Sequence, residues 1–334
     1  MLPVRRLPHL YALAGALLSD CPTVGGQAVI EGVMMRNATV YGLAVRRPEG
    51  NIVAERREWL SLMPFAWLKK PFVRGFPVLL ETLVNGIKAL NRSAEQATGE
   101  EEEKIQGWQL VLTMCLALVM AIGLFVVTPH MLSIAMQWLG MGGDVDGLSF
   151  HLWDGLFKCL IFVGYILCIS LVPDIRRVFQ YHGAEHKTIH AFEQGGEVTA
   201  IEAGRMSRLH PRCGTTFVLF VISISIILHA VLVPLALQVW TPANVIVKHV
   251  VTLLFKLALM LPITALAYEL IRFAARMDDG LCATLLRAPG LALQMLTTYE
   301  PRREHLEVAV VALNEALGDE APETVRPVDY GPMD

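Results

Sequence analysis

Residues 110–127 read LVLTMCLALVMAIGLFVV, eighteen positions without a charged side chain. This run lies in a first apolar segment at 108–128, and three similar segments follow at 154–173, 215–237 and 250–271. A helix needs about 20 residues to cross the hydrocarbon layer of a bilayer. The sequence therefore predicts a polytopic α-helical membrane protein with about four transmembrane helices and a small cytosolic α+β portion.

The composition agrees with this fold class. Of 334 residues, 54% are hydrophobic and 18% are charged, and the mean hydropathy is +0.48. Soluble domains carry about 25% charged residues, so an ordinary water-soluble domain is excluded. The formal net charge of −3 lacks the basic excess of nucleic-acid binders, so we expect membrane lipids and no nucleic acid as partners. The six scattered cysteines indicate reduced thiols.

The lysines and arginines are distributed unevenly between the connecting segments. The connections at 129–152 and 238–247 contain none, whereas the segment 173–214 contains six. The positive-inside rule therefore places that segment and both termini in the cytoplasm. We expect a multi-pass protein of the bacterial inner membrane.

The chain before the first span divides into two parts. Residues 1–23 form a variable leader; the alternative, a secretory signal ending at Cys21, fits poorly because Asp20 precedes the cysteine. In the second part, 24–107, two partly alternating runs around the turn residues 48–50 predict a β-hairpin. Apolar residues at helical spacing over 60–96 predict an amphipathic helix that is either interfacial or re-entrant.

The chain after the last span, 272–334, is predicted to form cytosolic C-terminal helices and a disordered tail. Pro301 precedes an apolar-periodic run that stops at Gly318, as expected of a helix. The last fifteen or so residues are rich in Pro, Asp and Glu, a composition typical of disorder.

The segment 174–214, inside the membrane domain 108–271, contains an unusual set of imidazole and thiol groups. The stretch YHGAEHKTIHAFE, 181–193, and the stretch RLHPRCGTTF, 208–217, supply them. Helical spacing puts the first group on roughly one face, and imidazole and thiolate are preferred ligands of Zn²⁺. We therefore predict a site for a divalent metal ion, with zinc the favoured ion. Its four predicted ligands are His182, His186, His210 and Cys213.

The same segment allows two other interpretations. His182-Gly183-Ala184-Glu185-His186 fits the H-x-x-E-H pattern of inverted zinc peptidases, in which Glu185 would activate water. That chemistry needs a third protein ligand and an open coordination position, whereas four protein ligands close the site and favour a structural role. Cys213 could instead be a nucleophile paired with His210, but no third group is identified to orient the pair.

Several motifs together resemble the YqhQ-like family of bacterial membrane proteins, a domain of unknown function labelled a predicted metal-dependent enzyme. They are GGQAVIEGVMMR, YHGAEHKTIHAFE, SRLHPRCGTTF, YELIR and LTTYEP. The resemblance covers roughly 24–315 and implies motif positions, without a substrate. Gln27, Glu31 and Arg36 lie in the first motif, and we expect a tight backbone site there, near the metal loop.

Further ionisable residues are candidates for supporting roles. His190 is a possible additional ligand, and Glu269 is a possible ligand or a partner of one, the alternative being an ion pair with Arg272. Charged groups in a span usually mark pairing or function, which singles out Lys256 and His229.

Three function classes stay open. The first is a membrane metal-dependent hydrolase with Glu185 as general base. The second is a metal-stabilised scaffold or assembly factor that binds a protein partner or a second copy of the chain. The third is a transporter, which the small number of spans and the lack of an internal repeat disfavour.

Overall fold

The computed structural model describes residues 24–63, 65–98, 107–195, 198–277, 280–318 and 325–328, so the leader 1–23 lies outside the described residues. The strands are β1 (Val24–Val29), β2 (Gly32–Asn37), β3 (Val40–Arg46), β4 (Ile52–Glu58) and β5 (Val325–Val328). The helices are α1 (Gly75–Thr98), α2 (Gly107–Ile122), α3 (Thr128–Trp138), α4 (Leu148–Ser170), α5 (Pro173–Glu193), α6 (Ala200–Gly204), α7 (Gly214–Val239), α8 (Val245–Arg276), α9 (Leu281–Thr297) and α10 (Arg303–Leu317).

The strands form one antiparallel sheet in the order β1-β2-β3-β4-β5. The predicted hairpin corresponds to β3 and β4, and the sheet extends it on both sides. A two-residue turn joins β1 to β2, with Val29 opposite Gly32. Glu31 in this turn has a φ of 51°, in the left-handed region that tight hairpin turns require.

The prediction of a disordered tail is wrong for Val325–Val328, which pair with β4 as strand β5. Pairing with β5 gives hydrogen-bond partners to backbone N–H and C=O groups along the outer edge of β4. Composition does not reveal this long-range pairing. The rest of the predicted tail, beyond 318, lies outside the described residues.

Each face of the sheet is covered by helices. On one face, α5 and α10 pack over a core that includes Met35, Ala44 and Tyr181. On the other face, α1 contributes Ala89 to a second core. Gly42 in β3 permits close packing with α10, because a Cβ atom there would lie 2.4 Å from the carbonyl oxygen of Ala312. The layers place α5 directly against β1.

Four helical segments are long and apolar enough to cross a membrane, as predicted. Their bounds are Val111–Trp138, Leu148–Ser170, Gly214–Val239 and Val245–Ala274. Many of their large apolar side chains are exposed, including Val119 at 65% and Met120 at 66%. Such exposure fits contact with lipid and not with water.

The first span continues past its predicted end at residue 128. A π-helical turn, Gly123–Val127, joins α2 to α3, so the helix continues to Trp138. Proline normally breaks a helix by removing a hydrogen bond to the carbonyl four residues earlier, but a π turn already changes that bonding pattern. The Thr128 hydroxyl also donates to the Gly123 carbonyl at 2.9 Å. Only 139–147 therefore connects the first two spans.

A chain of ionisable groups lies inside the bundle, near the 139–147 connection. Asp154 of α4 contacts Lys158 at 3.1 Å and Lys256 of α8 at 2.9 Å. Lys256 in turn donates to His130 at 3.2 Å, and Lys158 lies 3.4 Å from His229. All five side chains are buried. Lys256 and His229, which the sequence singled out, thus each contact another ionisable group of this chain.

The amphipathic segment predicted at 60–96 consists of a short 3₁₀ turn, Ala66–Lys69, and helix α1. The aromatic side chains before α1 are exposed: Phe65 at 60%, Trp67 at 57% and Phe72 at 62%. Exposed aromatic residues beside lysines are typical of a membrane interface. Because α1 itself packs on the sheet, this geometry favours the interfacial alternative over the re-entrant one.

Candidate metal centre

The candidate site residues of helix α5 lie on its buried side. Glu185 and His186 are buried, and His182 is partly buried. Gly183 allows α5 to approach the segment that precedes α10, because a Cβ atom there would lie 2.2 Å from the Tyr299 carbonyl oxygen. The helical spacing predicted from the sequence therefore brings these residues to one place.

Three of the four predicted ligands meet at the start of α7. His182, His186 and Cys213 each offer a ligand atom, and these atoms lie within 4.8 Å of one another. The Nε2 atom of His182 is 3.2 Å from the Sγ atom of Cys213. Imidazole nitrogen and thiolate sulfur are both ligands of zinc, and catalytic zinc sites have three protein ligands.

Backbone carbonyls orient both imidazole rings. The Nδ1 atom of His182 donates to the Thr297 carbonyl at 2.8 Å, and that of His186 donates to the Arg208 carbonyl at 2.6 Å. Each ring is thereby held with Nε2 available as a ligand atom, the usual arrangement of metal-binding histidines. The Nε2 atom of His186 is buried and has no hydrogen-bond partner among the described residues. A bound cation would satisfy it.

The local environment of Cys213 favours thiolate. Burial acts to raise its pKa, but the neighbouring His186 imidazole and the hydroxyl and backbone N–H of Thr215 outweigh that effect, so the pKa is lowered. Cys213 also caps the N-terminus of α7, where the helix dipole favours a negative charge. The residues present thus fit a soft divalent cation such as Zn²⁺.

Glu185 lies beside this group, against strand β1. Burial raises the pKa of its carboxyl to about 8. The Ala28 backbone N–H donates to this carboxylate, while Oε2 has no hydrogen-bond partner among the described residues. Gly26 leaves room for the side chain, because a Cβ atom there would lie 2.9 Å from the Glu185 carboxyl.

A cavity of about 310 Å³ connects these groups to the surroundings. Its walls come from β1, α1, α5 and the start of α7, and they include Gln27, Thr82, Phe179, His182, Glu185 and Cys213. A small-molecule or chain-like ligand could therefore reach both the thiol and the carboxyl.

His210 was predicted to be the fourth ligand, but the structure does not place it with the other three. His210 groups with His190 and Glu193 instead. Gln294 holds the His210 backbone, accepting from its N–H and donating to its carbonyl at 2.8 Å each. This pair of bonds fixes the turn so that the His210 ring is next to His190, with ring centroids 4.5 Å apart.

The second group already contains a cation. The guanidinium of Arg212 contacts the Glu193 carboxylate, which also lies 3.3 Å from Nε2 of His210. Burial lowers the pKa of His210 to about 4, so the imidazole is neutral at neutral pH. His190, the predicted additional ligand, donates through Nε2 to the Leu209 carbonyl at 2.9 Å. An ion pair with supporting histidines accounts for this cluster.

The first sequence motif only partly approaches the centre. Gln27 lines the cavity. Glu31 contacts Arg177 and accepts from the Tyr181 hydroxyl at 3.2 Å, which fastens the β1–β2 turn to α5. Arg36 lies elsewhere, with its guanidinium 3.9 Å above the Trp59 ring. Met35 belongs to the core beneath α5, and successive side chains of a strand point to opposite faces, so Arg36 lies on the other face of the sheet.

Glu269 forms an ion pair with Arg74, an interaction that the sequence did not predict. Its two carboxylate oxygens accept from Arg74 at 2.7 and 2.6 Å. It is not among the residues grouped as metal ligands. This ion pair links the segment before α1 to α8, a contact that local sequence spacing does not reveal.

Sequence reasoning missed Glu193 and Gln294. Glu193 lies three residues after His190, inside a stretch that had been singled out, so helical spacing could have found it. Gln294 is a neutral residue of α9, 84 positions from His210. It carries no signal in the sequence alone.

Comparisons with known proteins give a family and no reaction. Residues 70–319 match the family described as "Protein of unknown function (DUF1385)". The chain is 33% identical over 316 residues to the uncharacterized protein YqhQ of Bacillus subtilis (strain 168). The alignment covers 90% of this chain and 94% of that protein. No solved structure matches. The extent of both matches shows that the chain belongs to the YqhQ-like (DUF1385) family.

Proposed function

We propose that this protein is a metal-dependent hydrolase of the bacterial inner membrane. In this proposal His182, His186 and Cys213 hold the ion, with zinc favoured, and Glu185 is the general base. The proposal is supported above all by one observation: three of the four predicted ligands converge, and the buried carboxyl of Glu185 lies on the same cavity, with one oxygen that has no hydrogen-bond partner among the described residues. Catalytic zinc sites have three protein ligands and one open position.

The chain's own residues would perform the proton transfers. Zn²⁺ held by His182, His186 and Cys213 would supply Lewis-acid chemistry for the attack of water on a carbonyl. In its ionised form, Glu185 would accept the proton of the attacking water at Oε2 and deliver it to the leaving group. The carbonyls of Thr297 and Arg208 keep the two imidazoles in the required tautomer. The susceptible bonds are amides or esters, in peptides or lipids.

We further propose that this centre lies at the cytoplasmic face. The basic residues of 173–214 support that orientation by the positive-inside rule. The centre occupies the end of the bundle where α4 ends and α7 begins. Both termini are then cytoplasmic.

Glu185→Gln tests the catalytic proposal. The zinc-loaded protein in detergent micelles would be assayed with a fluorogenic peptide library and with p-nitrophenyl esters. We expect hydrolysis to fall about 10²- to 10⁴-fold, because removing a positioned general base costs that much. Zinc content and melting temperature should stay near those of the unsubstituted protein. Equal hydrolysis by both proteins would contradict the role of Glu185.

A metal-stabilised scaffold is the second candidate. It is supported by the link that the three ligands make between α5 and the start of α7, elements that a metal ion would staple together. On this alternative, chelation lowers the melting temperature strongly and Glu185→Gln has no effect in any assay. The same set of purified proteins therefore separates the two candidates.

A further inference from the structure

Among the described residues, strand β1 pairs along one edge only, and its other edge is called the free edge below. It is the first strand in the order of the described sheet, and its partner is β2. In an antiparallel pair, opposite residues alternate between those that exchange both backbone hydrogen bonds and those that do not. Val29 and Gly32 close a two-residue turn, so they exchange bonds, as do Gln27 and Met34. Gly26 and Ala28 therefore direct their backbone groups away from β2.

This free edge is one wall of the cavity at the metal centre. Gly26, Gln27 and Ala28 line the cavity together with Glu185 and Cys213. The edge thus lies beside the carboxylate that we propose as general base. A chain bound along it would pass directly by the reacting groups.

The residues of the edge are small, which leaves the backbone accessible. Gly25 and Gly26 are both exposed. The Glu185 carboxyl accepts a hydrogen bond from the Ala28 N–H. Among the described residues, no backbone hydrogen bond joins Gly26 to another element.

Soluble and membrane proteins usually protect such an edge. Charged side chains, prolines, bulges or a covering element are the common devices, since an open edge invites pairing with other chains. The sequence of β1, VGGQAV, contains none of these side chains. An open edge inside a cavity that holds catalytic groups is suited to a substrate strand.

We propose that the substrate is an extended peptide segment that adds to the free edge of β1 as a further strand. Peptide backbone offers alternating N–H and C=O groups that match those of Gly26, whereas a lipid ester offers no alternating donors. Pairing there would carry the peptide past Glu185 and Cys213. This inference rests on the proposed hydrolase function, whose substrate class it specifies.

An N-methyl scan of a peptide tests the strand pairing. The probe is a ten-residue peptide of Ala, Val, Thr and Ser, with each backbone nitrogen methylated in turn, bound to the zinc-loaded Glu185→Gln protein. In an added strand only alternate residues face β1. We therefore expect affinity to fall at least tenfold at every second position within the bound segment and little between. A loss without this period of two would overturn the proposal.

Hydrogen exchange at single-residue resolution gives an independent measurement on the same complex. The amide of Gly26 should become at least tenfold slower to exchange when the peptide binds. The amide of Gln27, already paired with Met34, is the internal control and should change little. Protection of Gly26 before any peptide is added would show that the edge is already covered, and would overturn the proposal.

These measurements separate the two proposals. Alternating N-methyl effects and protection of Gly26, without hydrolysis by the unsubstituted protein, would support strand addition and remove the hydrolase. Hydrolysis of peptides without either signature would retain the hydrolase and remove strand addition.

Discussion

His182 and Cys213 are 31 positions apart in the chain, yet Nε2 of His182 lies 3.2 Å from Sγ of Cys213. The contact joins the middle of α5 to the residue that caps α7. His186 completes the group from the next turn of α5. The centre therefore depends on the relative position of two helices. Substitution of its residues should change the metal content, whereas substitution of His210 should not.

Removing ligands should remove metal selectively. We expect His186→Ala and Cys213→Ser to lose at least 90% of the bound zinc, since each deletes one of three ligands. His210→Ala should retain it, because His210 lies in the second group. Metal content by plasma mass spectrometry after purification checks this prediction. Cys159→Ser, at an exposed thiol, is the matched control for Cys213→Ser. Equal loss of zinc in His210→Ala would restore the four-ligand site.

Asp154→Asn should destabilise the membrane bundle. Asp154 is the carboxylate between Lys158 and Lys256, and both amines are buried. Removing one partner of a buried ion pair costs about 3 to 5 kcal/mol, because the remaining charges stay buried without it. Reversible unfolding in detergent micelles measures the change.

Asp146→Asn serves as the control for that experiment. Asp146 also contacts a lysine, Lys248, but its side chain is 49% exposed and Asp144 remains as a partner. Exposed ion pairs contribute about 0 to 1 kcal/mol. Similar free-energy changes for the two substitutions would indicate that Asp154 is hydrated and not enclosed.

Gly42→Ala should weaken the packing of α10 on the sheet. Its Cβ atom would lie 2.4 Å from the Ala312 carbonyl oxygen, a backbone atom that cannot rotate away. Overpacking of this kind costs about 1 to 3 kcal/mol. Gly25→Ala places the same methyl group in open space and should change the stability by less than about 0.5 kcal/mol. Thermal melting of the two variants gives the comparison, and equal melting temperatures would argue against the tight contact.

The segment before α1 should lie at the level of the lipid headgroups. Trp67 is 57% exposed and is followed by Lys69 and Lys70. In liposomes, lipids brominated near the headgroup should quench its fluorescence more than lipids brominated near the chain end. The difference between the unsubstituted protein and Trp67→Phe isolates its signal from the other tryptophans. Stronger quenching by the deep label would favour a re-entrant segment.

The spans were predictable because a long apolar run is a local property. Their ends were less predictable: the sequence predicted that the first span ends at residue 128, whereas the helix continues through the π-helical turn to Trp138. The hairpin β3–β4 followed from its turn residues. Strand β5 depends on pairing with a distant segment, and no local pattern encodes that partner.

The sequence identified the residues of the centre but did not show which of them lie together in space. Helical spacing correctly brought His182, Glu185 and His186 to one side of α5. His210 was assigned with Cys213 because they are three positions apart, but the turn between them separates their side chains. That turn is fixed by Gln294, and a single sequence gives no sign of such a long-range contact.

The sheet is assembled from both ends of the polypeptide. Strands β1 to β4 leave the ribosome early, whereas α10, which covers one face, and β5, which pairs with β4, are synthesised last. The apolar face of the early strands stays uncovered until more than 240 further residues, 59–302, have been synthesised, and these include all four candidate spans of the described residues. The candidate spans are therefore made before the sheet beside the proposed metal centre is complete. A protein that fails to integrate would leave this sheet unfinished and vulnerable to proteolysis.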